Sequence, residues 1–421
     1  MSFRRWSWRS RVSVMALNAV ACLSVGQAYG QEFYLHQGDR VTFYGDSITA
    51  QRFYTRDIQD FVATRYPALA VTYHNAGVPG DKVTGGYAGD AAMRVARDVK
   101  PWNPTVLTLM LGMNDGGYVP PDEKIRQEFE VGYTRLLTML RSAAPEARVA
   151  LIENTPYDEI THGTEFAGYM ATTEQNAQAV SAMGRRERLA VVDAYSPVKQ
   201  LLQRAVKEDA SLASLLVTDR IHPSEPLHWI IAEAAMKAWH VDPVVSAVTL
   251  SEKQATALES RRTQVSAVVA HADSLEWDQT DEALPLPFDF ENALVNFVVK
   301  ESDLASVDQE MLTIGDLSPG VYKLIIDKRE IGSFTEKQFA QGINLALLKT
   351  PMWQQARSYD GALARRSSLE DAAFILMAET SAEKPNAIDA LRNGEAEFER
   401  KAQAALSIPK HHYTVSRVNH T

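Results

Sequence analysis

The chain has 421 residues, of which 45% are hydrophobic and 23% are charged. This is ordinary globular composition, so a collagen-like, mucin-like or mostly disordered chain is excluded. The length predicts two or three domains. The net charge is −10 and no Lys/Arg-rich run lies beyond the N-terminus, which argues against a nucleic-acid partner. The single cysteine, Cys22, excludes a disulfide framework or a cysteine-based zinc site within one chain.

Residues 1–30 have the order of a secretory signal peptide. Four arginines and no acidic residue are followed by an apolar stretch over 12–25 and then by Ala28-Tyr29-Gly30, which places small residues at the −3 and −1 positions. The stretch is shorter than the roughly 20 residues that a membrane span needs. We predict cleavage after Gly30 and export to the periplasm or the medium, with no integral membrane span afterwards. The alternative is a lipoprotein signal that ends at Cys22.

From residue 40 to about 240, short apolar runs alternate with helix-like segments. The runs that predict buried strands are 40–45, 70–75, 105–112, 148–153 and 189–195. The segments that predict helices are 50–65, 82–99, 122–143, 165–187, 197–208 and 226–239. This alternation predicts a three-layer α/β/α sandwich with a mainly parallel five-stranded sheet over residues 31–245. In such sheets the active site lies at the carboxyl ends of the strands.

Beyond residue 245 the pattern changes to a smaller β-rich and helical region. Residues 246–350 are predicted as a β-rich accessory module with strands at 296–300, 311–314 and 321–327, and residues 351–421 as a helical segment. His411 and His412 are expected to be solvated in a polar tail. Because no Gly/Ser- or Pro-rich linker lies between 240 and 285, we expect the region to dock on the preceding domain.

Four short polar blocks fall at predicted strand ends or helix starts. They are GDSI at 45–48, NAGVPGD at 75–81, GMND at 112–115 and DRIHP at 219–223. A serine on a tight turn that opens a helix presents its hydroxyl to a cleft, and a loop amide or an Asn carboxamide donates to an oxyanion. Asp219 and His222 are three residues apart, so that the carboxylate can reach and orient the imidazole. Each block alone is compatible with ordinary turn or capping chemistry.

Together and in this order, the four blocks resemble the SGNH/GDSL hydrolase superfamily over about residues 38–240. Ile48 replaces the leucine of the GDSL form. The resemblance implies a flavodoxin-like fold with Ser47 as nucleophile and Asp219 and His222 as its triad partners. It also implies an oxyanion hole formed by the Ser47 amide, Gly80 and Asn114; Gly80 is preferred to Gly77 because it directly precedes a polar residue.

The implied activity is hydrolysis of carboxylic esters through an acyl-enzyme, with no metal and no cofactor. The expected substrates are short acyl esters, in particular acetyl esters of carbohydrates, either as small molecules or as glycans. Two alternatives stay open at this point. One is a lysophospholipase or short-chain lipase of the same superfamily, and the other is a non-catalytic glycan-binding protein that uses the β-rich module.

Overall fold

A parallel sheet lies at the centre of the first half of the chain. The computed structural model describes residues 32–163, 165–379 and 385–418. The strands up to residue 192 are β1 (Arg40–Gly45), β2 (Thr72–Gly77), β3 (Gly85–Gly86), β4 (Gly89–Asp90), β5 (Val106–Met110), β6 (Arg148–Ile152) and β7 (Ala190–Val192). The parallel sheet has the strand order β2-β1-β5-β6-β7. The five predicted strands are therefore confirmed, with ends that shift by at most three residues.

Helices cover both faces of this sheet. They are α1 (Ser47–Ala50), α2 (Phe53–Arg65), α3 (Ala91–Arg94), α4 (Glu123–Ala143), α5 (Tyr169–Glu187), α6 (Tyr195–Glu208), α7 (Ala210–Ala213) and α8 (Glu225–Ala238). A π-helical turn, Val95–Val99, continues α3, and 3-10 turns lie at Pro67–Leu69 and Lys100–Trp102. Among these residues and the rest of the described chain, no helix combines the length and hydropathy that a bilayer crossing requires.

The side chains of successive strand residues divide between two cores. Phe43 of β1 packs with α2, α6 and α8 on one face, whereas the next residue, Tyr44, packs with α4 and α5 on the other. This alternation is the period-two geometry of a strand that is buried on both faces. The predicted three-layer α/β/α architecture is confirmed.

The second half of the described chain is built mainly from two further sheets. Their strands are β8 (Val244–Ser251), β9 (Thr256–Arg261), β10 (Thr263–Ala270), β11 (Ser274–Asp281), β12 (Gln309–Gly315), β13 (Val321–Ile326), β14 (Arg329–Thr335), β15 (Ile343–Asn344) and β16 (His411–Arg417). One sheet has the order β10-β11-β16-β13-β14 and the other β15-β12-β8-β9. Side chains of both sheets, such as Trp277 and Leu312, share one hydrophobic core.

Helices and short turns complete this region. They are α9 (Ala293–Glu301), α10 (Glu336–Gln341), α11 (Pro351–Glu379) and α12 (Pro385–Ala405), with 3-10 turns at Leu304–Ser306 and Leu345–Leu347. The strand predicted over 296–300 is wrong, because these residues lie in α9. The Asn292 side chain accepts hydrogen bonds from the Leu294 and Val295 amides and so caps that helix. The cap at Asn292 lies four residues before the apolar run at 296–300, and it favours a helix over the strand that the β-propensity of the run predicts.

The segment 351–421, predicted as helical, also contains a strand. β16 pairs antiparallel with β11 on one side and with β13 on the other, so it lies inside a sheet. The solvated state expected for His411 is wrong as well, since this side chain is buried and its Nδ1 lies 2.6 Å from Asp327 Oδ2. His412 remains largely exposed.

The two halves of the described chain contact each other directly, as the lack of a flexible linker predicts. Phe297 and Val298 of α9 join the hydrophobic core that contains Trp229 of α8. Arg65 at the end of α2 forms a buried ion pair with Asp308, at 2.6 Å. The contact therefore combines apolar burial with a fully desolvated ion pair.

Candidate active site

Ser47 lies where β1 ends and α1 begins. Asp46 caps the helix by accepting a hydrogen bond from the Ile48 amide at 3.0 Å. Gly45 is required at the preceding position, because a Cβ there would lie 2.1 Å from Thr49 Oγ1. As the first helical residue, Ser47 has an N–H with no intrahelical acceptor, at the positive end of the local peptide dipoles. The turn therefore presents both a hydroxyl and an amide at the carboxyl edge of the sheet.

His222 and Asp219 come to Ser47 from the loop before α8. His222 Nε2 lies 2.8 Å from Ser47 Oγ, and His222 Nδ1 lies 2.6 Å from Asp219 Oδ2. The Asp219 carboxylate can only accept, so Nδ1 carries the proton and Nε2 of the neutral ring accepts from the serine hydroxyl. The sequence-predicted Ser47, His222 and Asp219 thus form a continuous chain of hydrogen bonds.

The Asp219 carboxylate is held by its own loop. Oδ1 accepts hydrogen bonds from the amides of Ile221 at 3.0 Å and His222 at 2.8 Å. Burial acts to raise the pKa of Asp219, but these amides and the imidazole outweigh it, so the pKa lies below its ordinary value. The side chains of Asp219 and His222 remain 52% and 30% exposed. The hydrogen-bonded chain is therefore accessible to solvent.

Asn114 lies on the turn after β5 and is nearly buried. Its Nδ2 donates to the Asp81 carbonyl at 3.0 Å, and its Oδ1 accepts from the Tyr118 hydroxyl at 2.9 Å. Since an amide nitrogen carries two hydrogens, one remains for another acceptor. The carboxamide therefore joins the turn after β5 to the loop that contains Gly80.

Gly80 and Gly77 occupy different environments in the loop after β2. The Gly77 amide donates to Asn75 Oδ1 at 3.0 Å, and a Cβ at Gly77 would lie 2.3 Å from the Ala50 amide nitrogen. Gly77 therefore serves the close approach of β2 to α1. Gly80 is exposed, has φ of +72° and would place a Cβ in open space. Gly80 thus remains the candidate for an amide that faces a ligand.

A buried arginine that the sequence analysis did not identify supports this loop. Arg94 is completely buried; it contacts Asp81 Oδ2 at 3.0 Å, donates to the Ala76 carbonyl at 2.9 Å and pairs with Asp98. Its guanidinium lies 4.7 Å from the centre of the Tyr44 ring. The i,i+4 spacing of Arg94 and Asp98 was a local signal, but the contact with Asp81 depends on how the loop folds back.

Two carboxyl groups beneath the site have altered acidity. Burial raises the pKa of Asp46 to about 7, and the nearby carboxylates Asp115 and Asp81 act in the same direction. Burial likewise raises the pKa of Asp115 to about 7, while its hydrogen bond from the Val83 amide opposes the shift. A raised pKa favours the neutral form of both carboxyls, which weakens the negative field that would oppose an oxyanion.

Within the described residues, no three His, Cys, Asp or Glu side chains converge in an arrangement that could hold a metal ion. The groups that meet at the carboxyl edge of the sheet are a hydroxyl, an imidazole, a carboxylate, a carboxamide and loop amides. This set is suited to proton transfer and to the stabilisation of an oxyanion.

The chain is similar to known proteins over its first half and, for one solved structure, over most of its length. Residues 43–230 match the GDSL-like lipase/acylhydrolase family. No curated protein matches the chain. A gut microbial diltiazem-metabolizing enzyme has a similar structure, with a TM-score of 0.79 and 23% identity over 92% of this chain and 100% of that one. This likeness extends the shared fold to the region beyond residue 245. The acetylxylan esterase Axe2 from Geobacillus stearothermophilus matches with a TM-score of 0.40 and 21% identity, over 50% of this chain and 97% of that one.

Proposed function

We propose that this protein hydrolyses esters through a triad of Ser47, His222 and Asp219. The proposal rests on the match of residues 43–230 to the GDSL-like lipase/acylhydrolase family, which is an ester hydrolase family. The observation that carries the assignment of roles is the chain of hydrogen bonds from Ser47 Oγ to His222 Nε2 at 2.8 Å and from His222 Nδ1 to Asp219 Oδ2 at 2.6 Å. Nucleophile, base and orienting carboxylate meet in this arrangement although 172 to 175 positions separate Ser47 from its partners.

Acylation begins when Ser47 Oγ attacks the ester carbonyl carbon. His222 Nε2 takes the hydroxyl proton as the Oγ–C bond forms, and the carbonyl oxygen becomes an oxyanion. The C–O bond to the alcohol then breaks, and His222 transfers its proton to the departing alkoxide. Asp219 keeps the ring in the required tautomer and stabilises the imidazolium. The products of this half-reaction are the free alcohol and an acyl-Ser47 ester.

Deacylation repeats the sequence with water. His222 removes a proton from the water, whose oxygen attacks the acyl carbon, and returns a proton to Ser47 Oγ when the carboxylic acid leaves. In both half-reactions the oxyanion accepts hydrogen bonds from the Ser47 amide, the Gly80 amide and the Asn114 carboxamide. These donors are in place before the charge develops, so they need little reorganisation during the reaction.

We further propose that the substrates are short acyl esters, in particular acetyl esters of carbohydrates. Support comes from the exposure of the triad: Asp219 and His222 are 52% and 30% exposed, so a bulky polar alcohol can approach without entering a deep tunnel. The net charge of the chain is −10, which disfavours anionic lipid surfaces and leaves neutral glycans unaffected. A lysophospholipase or short-chain lipase is the alternative that the experiment distinguishes.

The experiment compares purified wild-type protein with Ser47→Ala on p-nitrophenyl acetate, butyrate and octanoate, and then on acetylated xylo-oligosaccharide and lysophosphatidylcholine. Ser224→Ala is the matched control, because the hydroxyl of Ser224 lies two residues from His222 and has no hydrogen-bond partner within the described chain. We expect activity that falls with acyl length, disappears in Ser47→Ala and persists in Ser224→Ala. A preference for octanoate and the lysolipid would replace the carbohydrate proposal, and wild-type activity in Ser47→Ala would refute the triad.

We also propose that the protein is exported. The support is the order of the basic and apolar segments and the small residues at Ala28 and Gly30. Residues 1–30, the predicted signal peptide, lie outside the described residues.

A further inference from the structure

The Asn114 carboxamide is held at both of its ends. Nδ2 faces the Asp81 carbonyl at 3.0 Å, and Oδ1 faces the Tyr118 hydroxyl at 2.9 Å. A carbonyl oxygen can only accept, so the atom beside it must be the amide nitrogen, and the amide oxygen must therefore face Tyr118. With the carboxamide in this orientation, one Nδ2 hydrogen bonds to Asp81 and the second is free for the oxyanion.

Tyr118 reaches this position through an unusual turn. Its backbone has φ of +59° and follows Gly117 with φ of +62°. The left-handed region disfavours a side chain as bulky as tyrosine, and residues held there concentrate at functional sites. The strained residue, Tyr118, is also the one whose hydroxyl contacts Asn114, so the turn determines where that hydroxyl lies. It brings a phenol back onto the carboxamide four residues earlier.

The ring of Tyr118 is fixed by its neighbours. Its centre lies 4.8 Å from that of Tyr169 and 5.1 Å from that of Phe166. The Tyr169 hydroxyl donates to the carbonyl of Met113, the residue before Asn114. The aromatic cluster and the carboxamide are therefore anchored to the same turn after β5, which limits their relative movement.

The Tyr118 hydroxyl remains a donor over the working pH range. Burial raises its pKa, and the charges of Asp46 and Asp219 act in the same direction. The hydroxyl that faces Asn114 Oδ1 thus stays protonated.

We propose that Tyr118 is a positioning residue for ester hydrolysis, whose hydroxyl holds the Asn114 carboxamide so that its free Nδ2 hydrogen faces the oxyanion. The inference rests on the proposed function. The terminal torsion of asparagine is broad and roughly two-fold, so without the phenol only the hydrogen bond to the Asp81 carbonyl opposes a rotation that turns the carboxamide oxygen towards the developing negative charge. Because that charge exists only in the transition state, the loss should fall on kcat and leave KM nearly unchanged.

The test is Tyr118→Phe, alone and combined with Asn114→Ala, assayed on p-nitrophenyl acetate with rates from Ser47→Ala subtracted. We expect kcat to fall about tenfold in the single variant, the scale of one lost hydrogen bond, with KM within twofold. In the Asn114→Ala background the same change should alter kcat less than twofold, since the group that Tyr118 positions is absent. Tyr73→Phe is the matched control, because the Tyr73 hydroxyl is buried and has no hydrogen-bond partner within the described chain.

Each outcome separates this inference from the proposed function. Absence of wild-type esterase activity would refute the proposed function itself. With an active wild type, the inference is overturned if Tyr118→Phe keeps full kcat, if it acts mainly on KM, or if it lowers kcat equally with and without Asn114. Circular dichroism and the melting temperature, compared with those of Tyr73→Phe, establish that the variant is folded.

Discussion

Glu370 of α11 is a charged group through which the second half of the chain contacts the segment that follows the nucleophile. Its side chain is 14% exposed, and Oε2 lies 2.9 Å from Nη1 of Arg52, five residues after Ser47. Oε1 faces the Asn75 amide at 3.4 Å. Burial acts to raise the pKa of Glu370, but Arg52, His74 and Arg366 outweigh it and lower the pKa to about 2. The native structure therefore stabilises the charged carboxylate.

The size of this stabilisation follows from the pKa. A change from 4.5, the ordinary value, to about 2 corresponds to about 3 kcal/mol of stability at neutral pH. Because the native pKa is the lower one, the contribution is complete above about pH 4.5 and is lost as the pH falls towards 2. Gln is a neutral mimic of the protonated acid. We expect Glu370→Gln to lower the free energy of unfolding by about 3 kcal/mol at pH 7 and by about half as much at pH 3.

The assay is urea unfolding between pH 7 and pH 3, followed by tryptophan fluorescence and by far-UV circular dichroism. Glu397→Gln is the matched control: Glu397 pairs with Lys401 on α12, and both side chains are 55% exposed. Exposed pairs of this kind contribute little, so the control should match the wild type. The reasoning is refuted if Glu370→Gln also matches the wild type, or if its destabilisation does not shrink on acidification.

Three further predictions concern the oxyanion hole, the second half of the chain and the N-terminus. Asn114→Ala should lower kcat by about 10²–10³ with little change in KM; an unchanged kcat would limit Asn114 to shaping its turn. Truncation after residue 245 should lower solubility or the melting temperature, because it exposes apolar surface at Trp229 and leaves Arg65 without Asp308; an equally stable and active fragment would contradict this. N-terminal sequencing of the exported protein should begin at Gln31, whereas a lipidated product would refute the cleavage site.

Local sequence signals were sufficient for the parallel sheet and the chemical blocks of the first half, but not for residues 85–90, which are predicted as helix and contain β3 and β4. Each strand of the parallel sheet overlaps a short apolar run, and each chemical block follows a strand or precedes a helix. Gly45 and Gly80 mark turns that only glycine fits easily, and the three-residue spacing of Asp219 and His222 allows direct pairing. These features depend on residues within one turn of each other, so they can be predicted without knowledge of long-range contacts.

The second half lacks such signals. β11 buries Gln279 and Asp281 on the same face as Leu275 and Trp277, so its hydrophobic alternation is incomplete. β16 pairs with strands that precede it by more than 80 residues, and no local pattern specifies that pairing. The contact of Arg94 with Asp81 was missed for the same reason, because it forms only when a loop and a helix fold back on each other.

The central claim is that Ser47 and His222 act as one unit, and a double-mutant cycle tests it most directly. Ser47→Ala and His222→Ala, alone and together, are compared with the wild type in kcat/KM for p-nitrophenyl acetate. Because the base has no role without the nucleophile, we predict that each single variant loses nearly all activity and that the double variant loses little more than either. Multiplicative losses in the double variant, or a His222→Ala protein that retains most of its activity, would contradict the proposed mechanism.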